Sequence, residues 1–329
     1  MRWVFRNSMR GDTGNLFWLL VGRVGRLLGW VSLVGGLWGL GQIGQEGFAL
    51  EADGGRLVVL SNGSPVLVYQ VRPNPKKPYV AELFSPAGVN LLRDSPVDHK
   101  HHHGLMFAVA VDGVNFWAED PASGTQTPTG PVKQERISAG GAAWEVLRQN
   151  LRWLNPQGAV MLEEQRSLAV TRTGQPTATL LCWQSLLRVP EGKSSVQFTG
   201  SPYFGLGMRF VGSMDTGGRF FNAQGRTGVE GTNNACASWC AYTAKAEGKP
   251  LTVAVFDWPK NPRHPASWFT MDRGFAYMSV TLNLQKEPFS IRADQPILLR
   301  YGVAVWDGEG APEMVEKCYR NWSALEDPK

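Results

Sequence analysis

The sequence predicts an all-β protein, a large antiparallel sandwich of two sheets followed by a C-terminal helix. Three observations carry this. Long runs of alternating apolar and polar residues, Ala143–Leu154, Ala159–Thr171 and Thr177–Val189, have the period of half-buried strands. Turn chemistry separates them: Asn155-Pro-Gln-Gly158 after the first and Thr173-Gly-Gln-Pro176 after the second. Helical spacing emerges only at the end, where Pro312 suits a first helical position and Met314, Val315, Cys318, Tyr319, Trp322 and Leu325 fall on one face.

The remaining elements follow the same logic. Leu57–Leu60 and Pro65–Val71 flank Ser61-Asn-Gly-Ser64, and Asn-Gly is the strongest short hairpin signal. Gly104–Val111 reads as one strand that turns at Asp112-Gly113 into Val114–Ala118. Later strands are expected at Leu251–Phe256, Phe275–Leu284 and Ile297–Val305. Strands of ten or more residues exceed the usual length of about five or six. No shift in composition marks an internal linker, so residues 46–329 read as a single sandwich domain.

Composition excludes whole classes. Of 329 residues, 43% are hydrophobic and 19% charged, which rules out a disordered chain. One long apolar stretch rules out a polytopic membrane protein. The formal net charge is +5, yet residues 1–45 hold five Arg and one Asp and so account for +4 of it. The basic balance is therefore poor grounds for nucleic-acid binding, and none is expected.

Those first 45 residues read as a signal peptide or an N-terminal membrane anchor. Arg23 and Arg26 precede the uncharged run Leu27–Leu40, a basic region followed by an apolar one. The run is short for a spanning helix, which needs about 20 apolar residues. The expected location is outside the cytoplasm, periplasmic or secreted, with membrane contact only through an uncleaved segment. Of the four cysteines, Cys182 and Cys318 read as buried apolar residues, and Cys236 and Cys240 are the one pair close enough in sequence to suspect of a disulfide.

Chemistry concentrates in Asp98-His-Lys-His-His-His103, which holds four of the five histidines; the fifth is His264. If this stretch is extended, His99, His101 and His103 share a face and His102 points away. Imidazoles so placed suit a divalent metal ion or proton transfer near neutral pH. The acid–base set read from the sequence is His101 and His102 with Glu164, a proton donor and acceptor flanking one bond. Arg209 and Arg166, Glu119, Trp258 and His264 are read as ligand contacts, and Trp239 and Trp268 as further stacking platforms near polar loops. Glu164 and Arg166, two apart in a strand, share one face; the plainer reading of that pair is a surface ion pair of little energetic weight.

Several segments resemble the family labelled PmoA-like: Lys77–Val80, Leu83–Val89, the Asp98-His-Lys-His-His-His-Gly-Leu105 box, Val111–Trp117, Phe204-Gly-Leu-Gly-Met-Arg209 and Asn261-Pro-Arg-His-Pro265. The resemblance spans roughly residues 50–322, with Lys100 standing where the family commonly has Pro. It implies a sandwich similar to that of galactose mutarotase and an exported, sugar-related role. Sugar or glycan is then the expected ligand, handled by hydrolysis, elimination or isomerisation, or bound without turnover. The family label taken literally implies a metal-dependent oxygenase subunit, which would need spanning helices that the body of this chain lacks.

Overall fold

In the computed structural model, residues 48–53, 55–72 and 76–325 are described. The signal or anchor reading of residues 1–45 falls outside them. Two large antiparallel sheets dominate. The first runs Phe48–Asp53, Arg56–Ser61, Ser64–Gln70, Tyr79–Leu83, Leu105–Ala108, Gly205–Arg209, Tyr277–Thr281, Ser267–Met271 in spatial order. The second runs Arg219–Asn222, Trp239–Ala246, Lys249–Asp257, Ile297–Asp307, Thr179–Arg188, Val160–Arg172, Ala142–Leu154, and Thr125–Pro128 and Lys133–Ala139 both pair with its last long strand. A small third sheet joins Phe289–Arg292, Ser195–Thr199, Ala110–Val111 and Val114–Asn115. Among the described residues no helix is long and apolar enough to cross a membrane.

Alternation along the long strands produces two cores. Leu147, Leu151 and Trp153, with Leu168, Val170, Leu181, Trp183 and Val303, turn inward against Leu67, Phe107, Leu206 and Met278 of the first sheet. The intervening residues Trp144, Val146, Ala169, Cys182, Ala254 and Ala304 form the other face. That face is covered by the helix Pro312–Ser323 through Val315, Tyr319 and Trp322. Pro312 opens the helix, Glu313 lies in its first turn and Arg320 in its last, each complementing the helix dipole.

The Asn62-Gly63 and Asp112-Gly113 hairpins form as expected, with positive φ at all four residues. One expected strand divides. Gly104–Val111 breaks at Val109, whose carbonyl accepts the Phe116 amide at 3.2 Å. Leu105–Ala108 therefore stays in the first sheet while Ala110–Val111 enters the small one. The strand expected over Phe275–Leu284 narrows to Tyr277–Thr281, because the Ala276 amide bonds the Asp215 carboxylate and Asn283 turns with φ of 55°. All four cysteines are free, Cys236 exposed and Cys240 buried, so the suspected bridge does not form.

The inner face of the second sheet carries a polar island. Arg166 and Glu164 are buried there, 1% and 2% exposed, rather than paired at the surface. The guanidinium grips both carboxylate oxygens at 2.8 and 2.9 Å and also donates to the Pro78 carbonyl and to Gln126 Oε1, each at 2.8 Å. Trp153 Nε1 and Ser185 Oγ donate to the same carboxylate at 2.9 and 2.6 Å. Tyr69 reaches across from the first sheet to Gln149. The cluster thus ties the two sheets together through the Pro78 carbonyl and Tyr69.

Candidate active site

The His box is a pair of successive turns. The His99 amide bonds the Pro96 carbonyl and the His102 amide bonds the His99 carbonyl, each at 2.9 Å. An extended chain would alternate its side chains, but these turns fold His99 back over His102. The two rings stack at 4.7 Å, and His101 meets His102 edge-on at 4.6 Å. His103 leaves this group and stacks on Tyr79 at 4.3 Å. The grouping of His99, His101 and His103 expected from an extended chain is thus replaced by one of His99, His101 and His102. Among the described residues no three His, Cys, Asp or Glu side chains are arranged to hold a metal ion.

The neck of the box is fixed by backbone. Asp94 bridges His103, the Gly104 amide bonds the Arg93 carbonyl, and Gly104 and Arg93 both exchange hydrogen bonds with Arg209. Gly104 has a φ of 27°, and a Cβ there would overlap the Val80 carbonyl. Only glycine lets the box approach the sheet this closely. A groove of about 530 Å³, lined by Arg56, Glu82, Asn90, Arg93 and Asp94 among others, adjoins the neck.

His103 anchors the box from below. Its Nδ1 lies 2.7 Å from Asp94 Oδ1 and its Nε2 2.9 Å from Glu119 Oε1. Lys77 Nζ donates to the same Glu119 oxygen at 2.6 Å and to the Trp117 carbonyl at 3.2 Å. Tyr79 donates to Asp94 at 2.9 Å. Burial alone would lower the His103 pKa, but its hydrogen bonds to Asp94 and Glu119 outweigh burial and raise it. Burial works the other way on Glu119, and there His103 and Lys77 prevail and lower the pKa. The imidazolium form of His103 is thus favoured between the two carboxylates.

This arrangement has a pH signature. The His103 contribution to stability is complete below its ordinary value of 6.5 and disappears as pH rises through the raised folded value. The Glu119 contribution is present above its ordinary 4.5 and disappears as pH falls through the lowered folded value. Urea midpoints followed from about pH 5 to pH 9 should rise at the acid end, where the lowered pKa values of His101 and His102 oppose folding, and then fall on the alkaline side. His103→Gln should flatten that alkaline fall. An unchanged alkaline limb in the variant would show that the imidazolium is not its source.

Above this anchor, four buried side chains carry polar atoms with no hydrogen-bond partner: His102 Nδ1, Trp117 Nε1, Arg209 Nε and Nη1, and the Tyr277 hydroxyl. They are neighbours. The His102 ring lies 5.3 Å from that of Tyr277 and 6.3 Å from that of Trp117, and Trp117 and Tyr277 are 6.2 Å apart. Arg209 and Tyr277 are cross-strand partners, and the Arg209 guanidinium lies 3.5 Å over the Phe275 ring. Gly207, two residues before Arg209, makes the room: a Cβ there would overlap the Tyr277 hydroxyl and lie 3.0 Å from the Trp117 ring. Buried polar atoms are almost always satisfied, so four such side chains at one place mark it as the candidate site.

Burial pushes the His102 pKa down to about 3, helped by His101, His99 and the positive charge of Arg209. Burial likewise lowers that of His101, with Lys77 adding to the effect. Burial raises that of Tyr277 well above its ordinary value. At neutral pH the site therefore presents neutral imidazoles and an un-ionised phenol beside a guanidinium.

The other residues singled out from the sequence lie in different surroundings. Glu164 and Arg166 occupy the polar island between the sheets. Glu119 lies beneath His103. His264 bonds Asp257 at 2.7 Å, and Asp257 also accepts from Asn261 at 2.8 Å. Trp258 packs near Lys260 and Arg300 in that same loop region. Trp239 and Trp268 are core residues, their indole nitrogens bonded to Glu316 and the Ala237 carbonyl, so they are not exposed stacking platforms. Conversely, Tyr277, Phe275 and Lys77 were not legible as site residues. Tyr277 sits within a strand pattern, and only its pairing with Arg209 reveals it.

A family model covers residues 56–320 and describes a family of unknown function, DUF6807. The chain belongs to this family. The region that matches runs from the second strand of the sandwich into its C-terminal helix, and it includes the box, Arg209 and Tyr277. No curated protein matches the chain. Among solved structures, a polysaccharide lyase is similar over 74% of this chain at 10% identity, with a TM-score of 0.29. The chain spans about a third of that lyase, 32% of its length. A likeness at this level bears on neither fold nor function, which rest on the geometry of the chain itself.

Proposed function

We propose that the protein is an exported, carbohydrate-active enzyme whose His box and Arg209 line an acid–base site on a sandwich of the mutarotase-like kind. The observation that carries this reading is the meeting of His102, Trp117, Arg209 and Tyr277, each buried with a polar atom unpartnered. Aromatic rings beside fixed polar groups suit a pyranose, which offers apolar faces and a rim of hydroxyls. In this reading His102 Nδ1 takes a proton from a ring carbon, the electron pair left behind forms a C=C bond as the neighbouring C–O bond breaks, the Tyr277 hydroxyl gives a proton to the departing oxygen, and Arg209 holds the charge that builds between them. His101, half-buried against His102, passes the proton to solvent. Glu164 has no part in the chemistry here, since both of its oxygens are held by Arg166, Ser185 and Trp153. Export is supported by the basic and apolar order of residues 1–45. The literal oxygenase reading is not favoured, because the box does not gather three metal ligands.

The test is a glycan turnover screen of the full chain, repeated with His102→Gln and Tyr277→Phe. Each variant should lose on the order of 100-fold or more in kcat on the glycan found, the usual range for a positioned acid or base. Unchanged turnover in both would remove them from the chemistry. A non-catalytic glycan-binding module is the second reading. The pKa of His102, depressed to about 3, favours it, because so weak a base serves better as a hydrogen-bond acceptor. Affinity for a glycan without turnover would decide for the module.

A further inference from the structure

We infer that the ligand of this site presents a carboxylate to Arg209, and that the sugar is therefore a hexuronic acid or a chain of them. The inference rests on the sugar reading above and narrows it. The unpartnered atoms are unequal in kind. Trp117 Nε1 and Arg209 Nε and Nη1 can only donate, whereas His102 Nδ1 and the Tyr277 hydroxyl can take either role. The group is thus rich in donors and includes a buried guanidinium. A neutral sugar rim offers hydroxyls that donate as readily as they accept, so it matches a set of donors less well. A carboxylate supplies acceptors alone and matches the guanidinium in charge and planarity.

The acids already present pair with the charge of Arg209 through Nη2 but do not bond Nε or Nη1. Asp98 and Asp215 lie 3.6 and 3.9 Å from Arg209, both on Nη2 and both beyond hydrogen-bond distance. Asp98 is half-exposed and held by His99 at 2.9 Å, and Asp215 accepts the Ala276 amide at 2.9 Å. Nε and Nη1 remain for the ligand. Phe275 beneath the guanidinium fixes its plane, so the unsatisfied donors are held in place before anything binds.

Matched ligands test this directly. Trisaccharides of galacturonate, glucuronate and mannuronate are titrated calorimetrically into the full chain alongside the same sugars after carboxyl reduction, with acetate as a carboxylate lacking a sugar. At least one uronate should bind tenfold or more tightly than its reduced partner. Arg209→Gln should abolish that preference, and Arg209→Lys should restore part of it. Thermal melts establish that each variant is folded, and Trp117→Phe, which removes one donor and keeps the ring, should weaken the uronate selectively. Equal or tighter binding of the reduced sugars would overturn the carboxylate and leave the sugar reading standing. Binding of acetate with no sugar of either kind would overturn the sugar and keep the anion site. No binding of any probe to the folded chain would overturn both.

Discussion

Glu164→Gln should cost the fold about 3–5 kcal/mol, the usual penalty for breaking a buried ion pair from one side. The amide keeps the shape of the carboxylate but leaves the Arg166 guanidinium without its counter-charge between two sheets. Arg166→Met should cost a similar amount, because it strands the carboxylate and also takes the donors from the Pro78 carbonyl and Gln126. The double variant with Glu164→Leu should fall short of the summed losses, since no charge is then left buried, though the Pro78 carbonyl and Gln126 still lack their partner. Urea denaturation followed by tryptophan fluorescence reads all three, with Trp153 and Trp183 beside the pair as reporters. A loss below about 1 kcal/mol in Glu164→Gln, together with abolished turnover, would return Glu164 to the chemistry and overturn its structural role.

Gly207→Ala should close the site. The new methyl has no free space: it meets the Tyr277 hydroxyl and the edge of the Trp117 ring, and both side chains are almost wholly buried. Overpacking of this kind costs about 1–3 kcal/mol, so the protein should remain folded. The larger effect falls on the ligand. Tyr277 and Trp117 must move apart to admit the methyl, and two of the four unpartnered groups then leave their positions. A displacement of about 1 Å at a catalytic constellation can cost on the order of 100-fold in rate. The variant should therefore melt cooperatively, somewhat below the wild type, and show binding or turnover reduced at least by that factor. Wild-type affinity and rate in a folded Gly207→Ala would show that the positions of Tyr277 and Trp117 do not matter to the ligand.

These two expectations differ in how far the sequence alone leads to them. The shared face of Glu164 and Arg166 follows from their spacing of two in a strand. Whether that face met water or the opposite sheet did not follow, because an alternating strand looks the same from either side when its polar residues are the paired ones. The His box was conspicuous as a cluster, yet the grouping of its rings depended on whether Pro96–His102 ran extended or turned. Nothing in the residue types of the box separates the two conformations. Trp239 and Trp268 stand next to loop residues in sequence, but their indoles point into the cores.

The sequence by itself determined the long strands, the Asn62-Gly63 and Asp112-Gly113 hairpins, the two-faced alternation that builds a sandwich and the helix that closes its back. All of these follow from interactions between residues a few positions apart, and the chain writes such interactions directly as period and turn chemistry. Only the tertiary structure decided the site. Arg209 meets Tyr277 across 68 positions of chain, Lys77 meets Glu119 across 42, and Arg166 meets Pro78 across 88. Such pairings are set by which strands lie side by side and by what volume remains between them, and a single strand pattern satisfies many arrangements. Polar atoms left unpartnered can be recognised only once every neighbour is in place.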